Sequence, residues 1–581
     1  MPAQTGPHIP DVPHHAATPG HAGVSRHAAP PRRRRPVRWS VLLLALGLVA
    51  VALYVLRPPV QPPVAGVQVI LGGRPVGWAE SSPSGAILLP LNLVQQEIDP
   101  ALRYIADSKK MQTSTSPWRL PMRDEGVERF VQERSVTIEF RPGWGKRGPA
   151  VPVEALLELY GLHMEVVRGE EGRLRRVLFD WVGNEVPVLR NSAPLRLRAR
   201  PWPWWPGPLM PAGSLFKAYA KVGGWVLVRS GDGRLGYLPE GAVTPAGTWK
   251  AEREPRPAPL AVDPPVCLVW EHVLRPEGPD LSTIGSLPGV KVVSPTWLHL
   301  AAGDGSLSSG CDLEYVRWAH GRGYAVWVLV GNDFDPDLTR QVLQDRVARQ
   351  HLIRQLLVYS RLFALDGINV DFENVYLSEK QAFTRFVQEL SEMTRAEGLT
   401  VSVDVTIKSS SPNWSLFLDR RALARHADYL AVMTYDEHYA GSPRAGSVAS
   451  LPWVEKGIQG LLEEVPAQRL LLGIPFYTRL WKEEKGPEGR TKVSSRALGM
   501  ADAEAAVAAA GAVPVYDAKS GQDYAEWTQE GATYRIWLEN ERSLQSRVQL
   551  VNRYGLAGVA CWRRGFERED IWPFMAAHLR R

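Results

Sequence analysis

Between Asp366 and Asn374 the chain reads Asp-Gly-Ile-Asn-Val-Asp-Phe-Glu-Asn, three carboxylates and two amides threaded through the apolar residues Ile368, Val370 and Phe372. Side chains alternate faces along a strand, so Asn369, Asp371 and Glu373 share one face, successive members about 6–7 Å apart. Carboxylates in a buried strand are costly unless paired or put to chemical use. This pattern predicts a catalytic acid with a neighbour that tunes it. Two other apolar runs also end in polar or aromatic groups: one in Met433-Thr434-Tyr435-Asp436, the last in Cys561-Trp562.

These residues need a scaffold that gathers strand ends. From residue 263 to 581, short apolar runs at 266–270, 291–297, 325–330, 366–373, 400–406, 429–435, 470–475 and 556–562 alternate with amphipathic helical patterns. Eight strand–helix units over some 300 residues predict an α/β fold, a (β/α)8 TIM barrel, whose chemistry lies at the C-terminal ends of its strands. His299, Asn332, Asp333, Glu373 and Asn374 all fall where a run turns polar.

The fourth run resembles the D-x-x-D-x-D-x-E signature of glycoside hydrolase family 18, with Asp366, Asp371 and Glu373 in register. Met433, Tyr435 and Asp436 are similar to that family's Met-x-Tyr-Asp segment, and Trp562 to its aromatic floor. The resemblance implies hydrolysis of β-1,4 bonds next to N-acetylglucosamine, with retention and substrate assistance. It implies Glu373 as general acid, and Asp371 as the group that shares its proton and stabilises an oxazolinium ion. Tyr435 is then the donor to the acetamido oxygen. Asp366, Asn369, Asp436, Trp562, Met433 and Asn374 are expected to bind substrate. Asn369 stands where the family carries an acid, so Asp371 lacks a charged neighbour on its own strand. Asn369 followed by Asp-Phe-Glu-Asn resembles the branch containing spore cortex-lytic N-acetylglucosaminidases, as does Trp537-Leu538-Glu539-Asn540. Those relatives usually carry LysM wall-binding repeats, which this sequence lacks. No cofactor or metal is expected, since three widely spaced cysteines fit no metal knuckle.

The chain has 581 residues, enough for three or four domains. Its net charge of +7 resides mostly in residues 1–65, where seven arginines face one acid, Asp11. The body is near neutral, which argues against nucleic acid as a partner. Residues 1–38 read as a disordered basic arm. An uncharged apolar run follows at 39–56, with Trp39 and Tyr54 near its edges. It predicts a single-pass transmembrane helix, and the preceding arginines place the N-terminus in the cytoplasm and the catalytic domain outside. A cleaved signal peptide competes with that reading, Ala50-Val51-Ala52 being the cleavage site.

Residues 66–190 contain two similar units, each a strand, a proline and a short helix, around Pro90 and Pro152. They resemble copper amine oxidase N-terminal-like stalk domains, which implies an α+β spacer; no histidine cluster supports copper. Residues 192–249 are similar to bacterial SH3-like domains, a small β-barrel in which Trp202, Trp204 and Trp205 either form a wall-binding patch or pack the core. The expected partner is a peptidoglycan or chitin-like glycan. The alternatives to a peptidoglycan glycosidase are a chitinase with the same site and a non-catalytic glycan-binding protein.

Overall fold

The structure, a computed structural model, describes residues 66–579 except 83–84, 115–135, 170–171, 254–257, 275–277 and 486–489. The basic arm and the expected span at 39–56 lie outside the described residues. Among the described residues no helix is long and apolar enough to cross a membrane.

Eight strands form the centre: β1 (Val266–Glu271), β2 (Val292–Leu300), β3 (Ala325–Gly331), β4 (Gly367–Asp371), β5 (Thr400–Thr406), β6 (Tyr429–Met433), β7 (Leu470–Pro475) and β8 (Gly558–Trp562). Each pairs in parallel with the next, and β8 pairs with both β7 and β1, so the sheet closes. This is the expected eight-stranded TIM barrel. Strands covered on both faces must be apolar throughout, and β1, β3 and β7 are buried at every residue. Around them lie α1 (Leu313–His320), α2 (Pro336–Gln344), α3 (Arg346–Leu362), α4 (Lys380–Glu397), α5 (Arg420–His426), α6 (Leu451–Leu462), α7 (Glu541–Tyr554) and α8 (Ile571–His578). Side-chain caps fix their starts: Asp312 accepts from the amides of Glu314 and Tyr315, and Asn540 forms a capping box with Ser543.

Between β7 and β8 the chain inserts a five-stranded antiparallel sheet (Tyr477–Lys485, Thr491–Gly499, Val515–Asp517, Gln522–Gln529 and Ala532–Leu538) with one helix, Met500–Ala509. The eight-run reading left this stretch without a structure. With only one face buried, its strands carry their apolar residues singly and form no unbroken apolar runs of the kind that mark the barrel strands.

The two similar units near the N-terminus are adjacent in space. Ile87–Pro90 and Gly148–Pro152 pair antiparallel, and each runs through its proline into a helix, Leu91–Glu97 and Val153–Tyr160. Proline serves at both starts because its fixed φ and missing N–H suit a helix beginning. The expected spacer, however, is docked. Arg141 forms an ion pair with Asp312 at the start of α1 (2.8 Å), Lys110 donates to Ser308 (2.8 Å), and the Glu139 amide donates to the Tyr359 hydroxyl on α3 (3.0 Å). Leu156, Leu159, Leu356 and Phe363 belong to one continuous apolar core.

The next module is a five-stranded antiparallel sheet that includes Glu185–Asn191, paired with Val243–Lys250. Its boundary therefore precedes residue 192. Trp202 and Trp204 are 60% and 85% exposed, while Trp205 is half-buried beneath Arg200. Buried Arg229 pairs with buried Asp180 across the two small modules (2.5 Å).

Candidate active site

At the C-terminal ends of the barrel strands lies a cleft of about 360 Å³, within the range of small-ligand sites. It is lined by Asp371 and Glu373 from β4 and the turn after it, and Asp404 from β5. Met433, Tyr435 and Asp436 come from the end of β6, Tyr477 from the insertion, and Trp562 from β8. Trp270 lies near the end of β1 and His272 follows it, and the His272 and Trp562 rings are 5.4 Å apart, extending an aromatic floor.

The turn holding Glu373 is clamped by one side chain. Asn332, after β3, accepts from the Glu373 amide (3.0 Å) and donates to its carbonyl (2.8 Å) and to Thr339 (2.8 Å). Both ends of the Glu373 peptide are thus fixed, and only the side chain is left to the cleft. Burial, then the Asp371 and Asp436 charges, push the Glu373 carboxyl well above its usual value. Burial likewise raises Asp371, to about 7. Its Oδ1 is buried and accepts no hydrogen bond among the described residues. The Tyr435 phenol is raised by burial and then by Asp404, so it stays an O–H donor. Tyr477 packs edge-on to Tyr435 and donates to Asp436 (2.5 Å). His299 pairs with Asp333 (2.6 Å) at the rim.

Six of the nine expected residues meet here: Glu373, Asp371, Tyr435, Asp436, Met433 and Trp562. The other three do not line the cleft. Asp366 sits at the opposite end of β4 and is buried, accepting from the Leu260 amide (2.8 Å), the Val326 amide (2.7 Å) and His320 (2.8 Å). It ties the incoming linker, β3 and α1 to the barrel bottom. Asn369 is fully buried beneath the cleft, its amide spent on Trp270, Ser294, Ser402 and Asp404. Asn374 turns away to the Phe334 carbonyl (2.9 Å) with φ +52°, shaping the loop.

Asp404, Tyr477 and His272 were not foreseen. Asp404 carried a readable signal, since Ser402-Val403-Asp404-Val405-Thr406 alternates polar and apolar as β4 does. Tyr477 and His272 carried none, because each becomes part of the cleft only through tertiary folding.

Residues 303–567 match Glycosyl hydrolases family 18. The chain carries a family 18 domain. The match starts after β2, and the structure supplies the first two strands upstream. The chain is 27% identical over 280 residues to the uncharacterized glycosylase YvbX of Bacillus subtilis, covering 46% of this chain and 79% of the relative. It is 25% identical over 250 residues to the cortical fragment-lytic enzyme of Bacillus subtilis, covering 42% of this chain and 56% of that enzyme. Among solved structures, the Bacillus cereus spore cortex-lytic enzyme SleL shares the fold at a TM-score of 0.50 and 19% identity, over 58% of this chain and 78% of that one.

Proposed function

We propose that the chain hydrolyses β-1,4 bonds at N-acetylglucosamine in peptidoglycan, by substrate-assisted catalysis with retention. The observation that carries this is Glu373, held by its backbone at the cleft mouth with a carboxyl whose burial favours the protonated form. A neutral carboxyl at neutral pH is what a general acid requires. Glu373 protonates the glycosidic oxygen, and the C–O bond breaks as the substrate's own acetamido oxygen attacks the anomeric carbon. Asp371 stabilises the positive charge that develops on the acetamido group. Tyr435 donates to that group's oxygen and orients it. Trp562 gives the sugar an apolar face to stack on, backed by the buried Trp270 ring. Glu373 then takes a proton from the water that opens the intermediate.

Peptidoglycan is favoured over chitin by the similarity to the cortical fragment-lytic enzyme of Bacillus subtilis, whose name refers to cortical fragments. The exposed Trp202 and Trp204 are proposed as a wall-facing patch, and the 39–56 segment as a membrane anchor with the barrel outside. A mature N-terminus near residue 53 would remove the anchor. For the activity, residues 66–581 are incubated with purified peptidoglycan and with chitin, and released fragments are identified by mass. Muropeptide fragments with reducing N-acetylglucosamine ends are expected. Release from chitin alone would transfer the reading to a chitinase, and binding without release from either would leave a glycan-binding protein.

A further inference from the structure

Asn369 uses its whole amide inside the barrel. Its Oδ1 accepts from Trp270 Nε1 (2.8 Å) and Ser294 Oγ (3.2 Å), and its Nδ2 donates to Ser402 Oγ (3.0 Å) and Asp404 Oδ1 (2.7 Å). Nothing is left for Asp371, whose buried Oδ1 accepts no hydrogen bond among the described residues. In the β4–β5 pairing Asn369 lies opposite Ser402, and carrying that register on by two residues sets Asp371 level with Asp404. Asp404 is buried and lines the same cleft as Asp371 and Glu373. A carboxylate at 369 could not donate to Asp404, and two buried charges in contact would repel. Asn at 369 and Asp at 404 therefore fit one another, with the acid displaced by one strand.

We propose that Asp404 is a positioning residue that acts through Asp371, supplying from β5 the second carboxyl that β4 lacks and sharing one proton with Asp371. This rests on the hydrolase reading. At rest the proton is held between the two carboxyls. When the acetamido group enters and Asp371 presents its charge to it, the Asp371 O–H bond breaks and the proton binds Asp404; product release reverses the transfer. No other bond changes. The titratable groups facing Asp404 are Asp371 and Glu373 from β4 and Tyr435 from β6. No lysine or arginine is among the cleft-lining residues. Burial first, and then the Asp371 charge, hold Asp404 well above the usual carboxylate range, partly offset by the Asn369 donation.

The test uses the full chain and three variants: Asp404→Asn, which keeps an oxygen for the Asn369 amide, Asn369→Asp, and the double exchange. Turnover on peptidoglycan should fall about 10- to 100-fold in Asp404→Asn with KM little changed, and the exchange should recover most of it. In parallel, carboxyl-carbon NMR follows the aspartate titrations. The two coupled steps of the Asp371–Asp404 pair should collapse to a single step in Asp404→Asn and return in the exchange. Unchanged turnover in Asp404→Asn, or an Asp371 titration that does not move, overturns the proposal. If wild type cleaves no glycan, the hydrolase reading fails, and the NMR titration alone decides whether the proton is shared.

Discussion

Glu373 has its peptide pinned by Asn332 and its carboxyl raised by burial, so removing the carboxyl should cost chemistry without cost to the fold. Glu373→Gln is expected to lower kcat by about 10³-fold, within the usual reach of general acid catalysis, with an unchanged melting temperature. A variant that cleaves as fast as wild type would move the acid elsewhere. Asp371 gives a second, thermodynamic prediction. Its folded value of about 7 exceeds the ordinary 3.8, so the folded chain holds this proton more tightly than the unfolded one. The stability it contributes is then complete below about pH 4 and is lost as pH rises towards 7. Asp371→Asn should remove this slope, and melting temperatures of both proteins from pH 4 to 8 would show the difference. Period two told which β4 residues share a face, and this made Glu373 and Asp371 legible. It did not tell height. Asp366, five residues below Asp371 at about 3.3 Å each, ended up at the barrel bottom, and Asn369, on the right face, lies too deep to reach the cleft.

The strand ends are built one element at a time, and β3 serves β4. Asn332 is buried, and its amide satisfies both the carbonyl and the N–H of Glu373 while also bonding Thr339 at the start of α2. Asn332→Ala leaves those two backbone groups without a partner, at about 1–3 kcal/mol for each unsatisfied group. The expected outcome is a lower melting temperature together with a loss of kcat larger than any rise in KM. Loss of stability with full kcat would mean the clamp is structural only. The barrel strands were readable because burial on both faces demands unbroken apolar runs. The insertion after β7 was not, since an antiparallel sheet with one solvated face spends its hydrophobic residues singly. It nevertheless supplies Tyr477, whose hydroxyl fixes Asp436 in the cleft wall.

At the scale of the whole molecule, a sequence that reads as beads joined by linkers folds as one body from residue 64 onward. Local patterns report which residues of an element are buried but not against what, so the N-terminal α+β module read as a free spacer. Arg141 is nearly buried against Asp312, which also caps α1, and the Phe140 and Phe363 rings meet 6.3 Å apart across the same junction. Breaking one side of such an ion pair leaves a charge without its partner, at about 3–5 kcal/mol. The Arg229–Asp180 pair joins the next module in the same way. Modules tied through buried charges and a shared apolar core should unfold together. Calorimetry of residues 66–581 is expected to show a single transition. Arg141→Ala should lower that transition without splitting it, and residues 263–581 alone should melt earlier because the faces of α1 and α3 that the module covers become exposed. Two separated transitions in the intact chain, or an isolated barrel as stable as the whole, would restore the independent spacer.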